Sequence, residues 1–363
     1  MATTHLEMGG IPVYVTGLAR GLRRRGHQPI VVSGGGWLER RLAREGISHH
    51  RIPCRTSSEL NPKIWLGALP RLLRIIRAER PDILHAHTRV TQVLCGMAGA
   101  LTGVPYVSTC HGLYRLRIGR RLLRCWGKTV MAISEPSMDR LVKGYRLVPP
   151  HQVKLVWNGV DVENFLVPPP PEEVRRFREC HGLWGEPVVG AIARLSPVKG
   201  LDLLLRAARG LLGEFPRLQV LLVGDGPSRE ELVRLAYELG IADRVILSPP
   251  VEDTRIPLAV MQLFVSPSDR EGFGLSLAEA MVAGVPVISS WAGGPAKMIE
   301  SGRSGLLIPP QDTQALEQAI RSLLRDEGTR RRMAEAARRQ AQERFDLRRM
   351  VQEVEEVYAG ALS

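Results

Sequence analysis

Short apolar runs alternate along the chain with longer segments in which apolar residues recur every three or four positions. In the first half, runs of strand length cover 29–33, 82–87, 105–110 and 129–134, while 11–25 has a helix pattern. The second half repeats the scheme, with predicted strands at 188–193, 219–223, 244–247, 263–266, 286–289 and 306–308. Strands that alternate with helices predict parallel, doubly wound sheets, so the fold class is α/β with two Rossmann-like domains.

A proline cluster at 166–171 fits neither a helix nor a strand and is interpreted as the linker between the domains. The predicted domains are therefore 1–165 and 172–344. The segment 345–363 has the pattern of an amphipathic helix that crosses back to the first domain. Two such domains are expected to face each other across a cleft at the carboxyl ends of their strands, where α/β proteins bind ligands.

The first domain lacks an opening strand in this pattern. A doubly wound domain should begin with a buried strand, yet only eight residues precede Gly9. Either the sheet tolerates a short stub in place of its first strand, or this copy of the chain starts late. The late start is the favoured hypothesis, and a truly absent strand would favour an inactive protein.

Composition favours an ordinary globular protein. Of 363 residues, 44% are hydrophobic and 24% charged, and no stretch reaches about 18 uninterrupted apolar residues, so no membrane-spanning helix is expected. The first residues lack the features of a signal peptide. The five cysteines are odd in number and form no Cys-x-x-Cys pair, which disfavours disulfides and a zinc site and favours a cytoplasmic location.

Positive charge is concentrated in the first half. Residues 1–165 hold 25 Lys and Arg against 10 Asp and Glu, whereas the remainder holds 25 against 27. Such asymmetry indicates a polyanionic partner: nucleic acid, an acidic acceptor or an anionic membrane surface. A predicted helix at 115–128 fits a lipid-facing helix and an ordinary surface helix equally well, because a basic face opposes its Leu and Trp side chains. The basic residues are Arg117, Arg120, Arg121, Arg124 and Lys128.

The most informative chemistry lies around Glu271 and Glu279, which stand eight positions apart. Glu271 opens a glycine-rich turn that continues through Gly272, Phe273 and Gly274, and a helix is predicted from Leu275. A helix that begins in this way offers free N–H groups and a positive dipole end to a phosphate. The two carboxylates can accept hydrogen bonds from sugar hydroxyls. Together these features predict a nucleotide-sugar site.

Two cations follow the first predicted strand of the second domain. Arg194 and Lys199 suit a diphosphate, because Arg grips oxygens bidentately and Lys adds a point charge. In the first domain, Gly9 and Gly10 precede a helix and form a second potential anion site. The similar segment 224–227 (GDGP) is interpreted as a turn without chemistry, since a complete dinucleotide fingerprint is absent.

Histidines mark two strand ends in the first domain. His111 ends a predicted strand in the sequence TCHG, which places its imidazole at the edge of the expected cleft. His85 and His87 share one face of another strand. No third ligand has suitable spacing, so no metal site is predicted.

Taken together, these residues resemble the family-4 retaining glycosyltransferases of GT-B fold, as found in bacterial lipopolysaccharide, exopolysaccharide and phosphoinositol-mannoside assembly. The resemblance covers nearly the whole chain. It rests on THLEMGG, RGLRRRGHQPIVV, VSTCHG, AISE, VKLVWNGVDVENF, GAIARLSPVKGLDLLLRA, LLVGDGP and VSPSDREGFGLSLAEAMVAGVPVISS.

The resemblance implies a role for each site residue. Arg194, Lys199 and the amide of Gly10 would hold the donor diphosphate, and Glu279 would bind the ribose hydroxyls. Glu271, with the backbone from Gly272 and Phe273 through Gly274 to Leu275, would bind the transferred sugar. His111 would contact that sugar near the reacting carbon, and the base would lie near Val251. The second domain would bind the donor and the first domain the acceptor.

The implied reaction moves a hexose from a nucleoside-diphosphate sugar of UDP or GDP type to a glycan or lipid-linked acceptor, with retention of configuration. No other cofactor and no metal are expected, because cations and a helix N-terminus can stabilise the departing diphosphate. The expected setting is envelope polysaccharide or lipopolysaccharide synthesis, at the inner face of the cytoplasmic membrane and in peripheral contact with anionic lipid. Nucleic acid is not an expected partner.

Two departures from the family pattern stand out: Lys297 occupies a position that is usually Glu, and Met261-Gln262 replaces a usual acidic residue. The alternatives are a nucleotide-sugar epimerase of the same fold and an inactive, membrane-associated binding protein. A glycoside hydrolase could use two carboxylates but would leave the neighbouring cations without a purpose. A nucleic-acid binder would explain the basic charge but lacks clustered aromatic residues for base stacking.

Overall fold

The computed structural model describes residues 1–56, 58, 61–62, 64–113, 125–144 and 148–363. It divides into two compact units. The first comprises Met1–Gly159 together with Leu347–Ser363, and the second comprises Val160–Asp346. Residues 160–165 lie in the second unit, whereas the sequence pattern assigns them to the first domain. They pack there because a short helix within them contacts the helix that follows the glycine-rich turn.

The strands are short and parallel. They are β1 (Ile30–Ser33), β2 (Ser48–Arg51), β3 (Leu84–Ala86), β4 (Tyr106–Cys110), β5 (Val130–Ala132) and β6 (Val153–Leu155) in the first unit, and β7 (Val188–Ile192), β8 (Gln219–Val223), β9 (Val245–Ser248), β10 (Leu263–Ser266), β11 (Val287–Ser290) and β12 (Leu306–Ile308) in the second. In the first unit β1 pairs with β2, and the other strands lie in the order β3-β4-β5-β6. The second unit has the order β12-β11-β10-β7-β8-β9.

The helices flank these sheets. They are α1 (Gly10–Arg24), α2 (Glu39–Arg44), α3 (Leu69–Glu79), α4 (Arg89–Thr102), α5 (Glu135–Asp139), α6 (Val162–Leu166), α7 (Pro171–Cys180), α8 (Leu201–Leu211), α9 (Arg229–Glu238), α10 (Arg255–Ala259), α11 (Leu275–Ala283), α12 (Pro295–Met298), α13 (Thr313–Arg325), α14 (Glu327–Arg344) and α15 (Leu347–Leu362). Several begin where a side-chain oxygen accepts a hydrogen bond from the amide three residues on, and the capping residues are Ser134, Asp161, Asp312 and Asp326.

Residues 1–3 lie where the pattern of a doubly wound domain calls for a first strand. Ala2 bridges in parallel to Val32 of β1 on one side and to Ala86 of β3 on the other. Its amide donates to the carbonyl of His85, and its own carbonyl accepts from the amide of His87. A short stub therefore links β1 and β2 to the rest of the first sheet.

Two strands of the first unit differ from the predicted set. The sequence of β2, SHHR, has no buried residue, so an apolar pattern cannot reveal it. Strand β6 is three residues long and mostly unburied. Within the described residues, both are edge strands that pair with one neighbour. This pairing holds them in the sheet, and burial on both faces is not needed.

The last helix, α15, packs in the first unit against α1. Its apolar residues join the core cluster that α1 helps to form, and they include Leu347, Met350, Val351 and Val354. The two helices approach so closely at Gly21 that a Cβ there would lie 2.3 Å from a methyl carbon of Val351. The tail segment is therefore an integral part of the first unit.

The predicted basic helix at 115–128 lies mostly outside the described residues, because 114–124 are not among them. Its last residues, 125–128, are described and are not helical. Trp126 is buried in a core cluster with Cys110 and Val130. Lys128 donates to the carbonyl of Ala361 in α15 at 2.8 Å. For these four residues the helix prediction is wrong, since core packing and the contact with α15 set their conformation.

Among the described residues, no helix combines the length and the apolar character needed to cross a membrane.

Candidate functional site

In the second unit, the chain connections that leave the neighbouring strands β7 and β10 run to opposite sides of the sheet. These strands are neighbours, yet β7 connects onward to β8 on one side and β10 to β11 on the other. In α/β sheets the crevice at the carboxyl ends of such a strand pair is where ligands bind. The loop that follows β7 carries Arg194 and Lys199, and the loop that follows β10 carries Glu271. The fold therefore brings both predicted loops to one edge of one sheet.

Lys199 and Glu271 meet at this edge. Lys199 ends a turn of 3₁₀ helix, Pro197–Lys199, and its Nζ contacts Oε2 of Glu271. The two side chains are only 22% and 17% exposed, respectively. The turn closes with Gly200 at φ 60°, where a Cβ would lie 2.3 Å from the carbonyl oxygen of Pro267, so only glycine allows this approach. Residues that the sequence separates by 72 positions thus form one ion pair.

The glycine-rich turn opens α11 as the sequence predicts. Gly274 has φ 95° and ψ 63° at the start of the helix, and no described side chain caps it. The amides of Leu275, Ser276 and Leu277 precede the first hydrogen bond of the helix, which Ala278 donates to the carbonyl of Gly274. Positive partial charge is therefore available one residue from the turn.

Gly294 holds this turn from the other side. Its amide donates to the carbonyl of Glu271 at 3.0 Å. A Cβ at this position would lie 2.6 Å from the carbonyl oxygen of Gly272 and 2.7 Å from Cα of Phe273. The close contact between two backbone segments requires glycine. Sequence reasoning misses this residue, because nothing in its local pattern points to a turn 20 positions earlier.

Arg194 lies in a loop that the segment Gly224-Asp225-Gly226 supports. The amide of Ala193 donates to Val223 at 3.0 Å, and that of Leu195 donates to Asp225 at 2.9 Å. A Cβ on either glycine would lie within 2.2 Å of a carbonyl oxygen of the loop. This segment, interpreted from sequence as a simple turn, is thus the surface on which the Arg194 loop packs. The Arg194 side chain is exposed and forms no ion pair with a described residue.

Three other predicted site residues of the second unit lie in α11, in the loop after β9 and in the glycine-rich turn. Glu279 lies about one turn inside α11 and is half-buried, and Val251 is half-buried in the loop after β9. Phe273 is buried, and its ring packs edge-on against Phe345 with centroids 5.4 Å apart. The Phe273 side chain therefore anchors the turn, and the turn's backbone is the part that is available to a ligand.

Gly10 and His111 belong to the first unit. Gly10 is the first residue of α1 and is exposed, and a Cβ there would meet no atom of a described residue within 4 Å. His111 follows β4 and is half-buried. Its Nε2 lies 3.2 Å from Nδ1 of His87, and the ring of Tyr14 packs edge-on against it at 4.6 Å. Burial lowers the pKa of His111 to about 3, so the ring is neutral near pH 7.

No group of three or more His, Cys, Asp or Glu side chains with the geometry of a metal site occurs among the described residues. His85 and His87 do lie together, with ring centroids 3.9 Å apart, but their partners are hydroxyl groups and His111.

Two family models match the chain in sequence. The model of Glycosyltransferase Family 4 matches residues 8–164, and that of Glycosyl transferases group 1 matches residues 175–340. The chain belongs to the family-4 glycosyltransferases. This glycosyltransferase has the GT-B fold. A crystal structure of Anabaena Alr3699/HepE in complex with UDP and glucose superposes with a TM-score of 0.86 at 24% identity, covering 99% of this chain and 98% of that one.

Curated relatives extend over almost the full length. The N-acetyl-alpha-D-glucosaminyl L-malate synthase of Bacillus anthracis is 26% identical, with 99% of this glycosyltransferase and 96% of the relative covered. A D-inositol 3-phosphate glycosyltransferase of Xylanimonas cellulosilytica is 28% identical, with 98% and 92% covered. Both relatives are named for a compound with an anionic group, L-malate in the first and D-inositol 3-phosphate in the second.

Proposed function

We propose that this glycosyltransferase moves a hexose from a nucleoside-diphosphate sugar of UDP or GDP type to an acceptor, with retention of configuration and without a metal ion. The observation that carries the proposal is the meeting of Lys199 with Glu271 between β7 and β10, beside the open N-terminus of α11. This edge offers cations for a diphosphate and carboxylates for sugar hydroxyls at one place.

The diphosphate leaving group gains negative charge as the glycosidic bond breaks. Lys199, Arg194 and the first amides of α11 neutralise that charge, with the amide of Gly10 as a further donor. Binding of the donor separates Lys199 from Glu271, because the ammonium group turns to the phosphate oxygens. Glu271 is then free to accept hydrogen bonds from the hydroxyls of the sugar. The ion pair of the ligand-free protein thus keeps two half-buried charges compensated until the donor arrives.

The other residues orient the donor. Glu279 binds the ribose hydroxyls, the backbone of residues 272–275 binds the sugar, and the loop at Val251 receives the base. His111 contacts the sugar near the reacting carbon as a neutral ring. The acceptor hydroxyl attacks the reacting carbon of the sugar from the face that the phosphate leaves. A phosphate oxygen takes the proton of that hydroxyl. Direct nucleophilic attack by Glu271 is the less favoured route, since its carboxylate accepts hydrogen bonds from the hydroxyls of the sugar.

The acceptor is proposed to be a glycan or lipid-linked molecule of the cell envelope, used in polysaccharide or lipopolysaccharide synthesis. The excess of positive charge in residues 1–165 supports an anionic acceptor and a peripheral contact with anionic lipid. The names of the two relatives support a second candidate, a small anionic acceptor such as a hydroxy acid or a sugar-alcohol phosphate.

The test combines nucleotide binding with product analysis. We expect UDP or GDP to raise the melting temperature of the wild type. Lys199→Ala should weaken the binding of that nucleotide about 10- to 100-fold, which is the loss of affinity typical of one charged hydrogen bond. Arg209→Ala, which removes an exposed cation from the far end of α8, should bind as the wild type does. Equal weakening in both variants would contradict the site.

Incubation with donor sugars and both acceptor classes identifies the product by mass spectrometry, and NMR of its anomeric proton gives the configuration. An inverted product would overturn the retaining mechanism while leaving the donor site intact. If a product forms only with a small anionic acceptor, the envelope acceptor is ruled out and the second candidate is supported.

A further inference from the structure

Three histidines of the first unit form a continuous cluster at the carboxyl ends of β3 and β4. These strands are neighbours in parallel register, with His85 opposite Val107, so the residues that follow them meet. The ring centroids of His85 and His87 are 3.9 Å apart, and those of His87 and His111 are 5.4 Å apart. His111 is the half-buried member, whereas His85 and His87 are each only 1% exposed. The cluster thus runs from the core to the surface.

His87 has one hydrogen-bond partner and one orphan atom. Its Nδ1 lies 3.2 Å from Nε2 of His111. Its Nε2 is fully buried and has no hydrogen-bond partner among the described residues. Burial lowers the pKa of His87 well below its ordinary value, and the charges that His85 and His111 would carry lower it further. Both His87 and His111 are therefore neutral near pH 7, and each ring carries one proton.

Only two arrangements of these protons make the hydrogen bond between the rings. If His111 donates from Nε2, the proton of His87 sits on its buried Nε2, for which the described part of the chain offers no acceptor. If His87 donates from Nδ1, its buried Nε2 carries only a lone pair. A buried N–H without an acceptor is rarer in folded proteins than an under-satisfied acceptor. The second arrangement is thus favoured, and it places the proton of His111 on Nδ1.

We propose that His87 is a positioning residue: its Nδ1–H donates to Nε2 of His111 and fixes His111 as the Nδ1–H tautomer, whose open N–H donates to the transferred sugar. The Nδ1 atom of His111 makes no hydrogen bond with a described residue and is not among the buried polar atoms, so it is open to a ligand. The role toward the sugar rests on the proposed function. The tautomer itself rests only on the geometry of the cluster.

His85 holds His87 in place from behind. Its Nδ1 lies 2.7 Å from the hydroxyl of Tyr358, and its Nε2 lies 2.7 Å from the hydroxyl of Thr109. Both ring nitrogens of His85 thus have hydrogen-bond partners, and the His85 ring packs against that of His87 at an interplanar angle of 40°. Because Tyr358 belongs to α15, the last helix of the chain contributes to the orientation of His111.

Conservative variants separate a positioning role from a general loss of packing. The amide nitrogen of Asn lies as far from the backbone as Nδ1 of His, whereas that of Gln reaches as far as Nε2. We therefore expect His87→Asn to keep most of kcat. His87→Gln and His87→Ala should lower kcat about 10- to 100-fold, the size of the loss seen when the hydrogen-bond partner that orients a metal-ligating histidine is removed. His50→Ala, in the same unit but outside the cluster, should leave kcat unchanged.

A double variant tests whether His87 acts through His111. If it does, adding His87→Ala to His111→Ala should cause little further loss of kcat. Additive losses, or equal activity of His87→Asn and His87→Gln, would overturn the proposal. If His87→Ala does not fold, the comparison of the Asn and Gln variants still decides between the outcomes.

Ring ¹⁵N NMR of the histidine-labelled full chain reads the tautomer without activity. We expect His111 to carry its proton on Nδ1 in the wild type and in His87→Asn, and to become a mixture of tautomers in His87→Gln. A proton on Nε2 of His111 in the wild type would overturn the positioning role alone. A fully active His111→Ala variant would contradict the part that His111 plays in the proposed function, and the positioning role would fall with it.

Discussion

Gly294 lies where two backbone segments are in contact, and a side chain as small as a methyl group would keep them apart. The residue has φ −56° and ψ −48°, which any residue adopts, so backbone strain is not the reason for glycine. The reason is the space occupied by Gly272 and Phe273, which a Cβ would enter. Because these residues form the turn that opens α11, the shape of the candidate donor site depends on a residue outside that turn.

We predict that Gly294→Ala lowers both stability and activity. Forcing a methyl group into a packed site costs about 1–3 kcal/mol, and displacement of the turn should reduce kcat/KM for the donor. Thermal melts and donor kinetics measure the two effects. Gly213→Ala is the matched control, because a Cβ at Gly213 meets no atom within 4 Å in the part of the chain that the structure describes. Unchanged melting and kinetics in Gly294→Ala would contradict the close contact.

The pairing of Lys199 with Glu271 is also a finding at the level of residues. The sequence predicts both side chains as ligands of one donor, because each follows a strand with suitable chemistry nearby. It does not predict that they bind each other. That contact follows from the adjacency of β7 and β10, which no local pattern encodes.

Helix α15 shows how a terminal element becomes part of a distant core. Besides its apolar contacts with α1, its Glu355 accepts hydrogen bonds from Nε of Arg25 at 2.5 Å and from Nε2 of His27 at 2.7 Å. Burial alone would raise the pKa of Glu355, but these hydrogen bonds and the associated charges lower it below the ordinary value of 4.5. The carboxylate therefore ties the tail helix to the end of α1.

We predict a pH-dependent effect of Glu355→Gln. Because the folded pKa lies below the unfolded one, the stabilisation is present above about pH 4.5 and is lost as the pH falls through the folded pKa. At pH 7 the variant should be less stable by about 0.5–1 kcal/mol, since Arg25 and His27 are half exposed. Urea unfolding at a series of pH values should show the difference shrinking in acid. The control is Glu356→Gln on the exposed face of α15, and a pH-independent difference would contradict the ion pair.

On the scale of the whole molecule, charge and structure divide the chain at nearly the same place. The basic excess lies in residues 1–165, and the first unit ends at Gly159 before it resumes at Leu347. The second unit, nearly neutral in sequence, holds the candidate donor site. The proposed function needs this arrangement, because it assigns the acceptor to the basic unit and the donor to the nearly neutral one.

We predict that anionic vesicles bind this glycosyltransferase through the basic segment of the first half. Replacing Arg117, Arg121 and Arg124 with Ala should weaken co-sedimentation on the order of 100-fold at low salt, since each arginine near an anionic surface contributes about 1 kcal/mol. Salt should weaken wild-type binding as well. A control that removes equal charge from the second unit replaces Arg206, Arg209 and Arg217. Equal loss in the two triple variants would contradict a localised lipid-binding segment.

The sequence by itself determined the fold class, most of the strands, the glycine-rich opening of α11 and the uneven charge. Each of these is local: burial on both faces selects apolar runs, and a left-handed turn selects glycine. It also indicated the family, because several such local segments occur in one order along the chain.

Only the tertiary structure decided which of these segments meet. The order of parallel strands joins Lys199 to Glu271, sets Gly294 against the turn at Gly272, and aligns His85, His87 and His111. It also places the polar edge strand β2, which has no buried residue to reveal it, and returns α15 to the first unit. The physical reason is that periodicity records what each segment buries, whereas a contact between distant segments depends on which strands become neighbours.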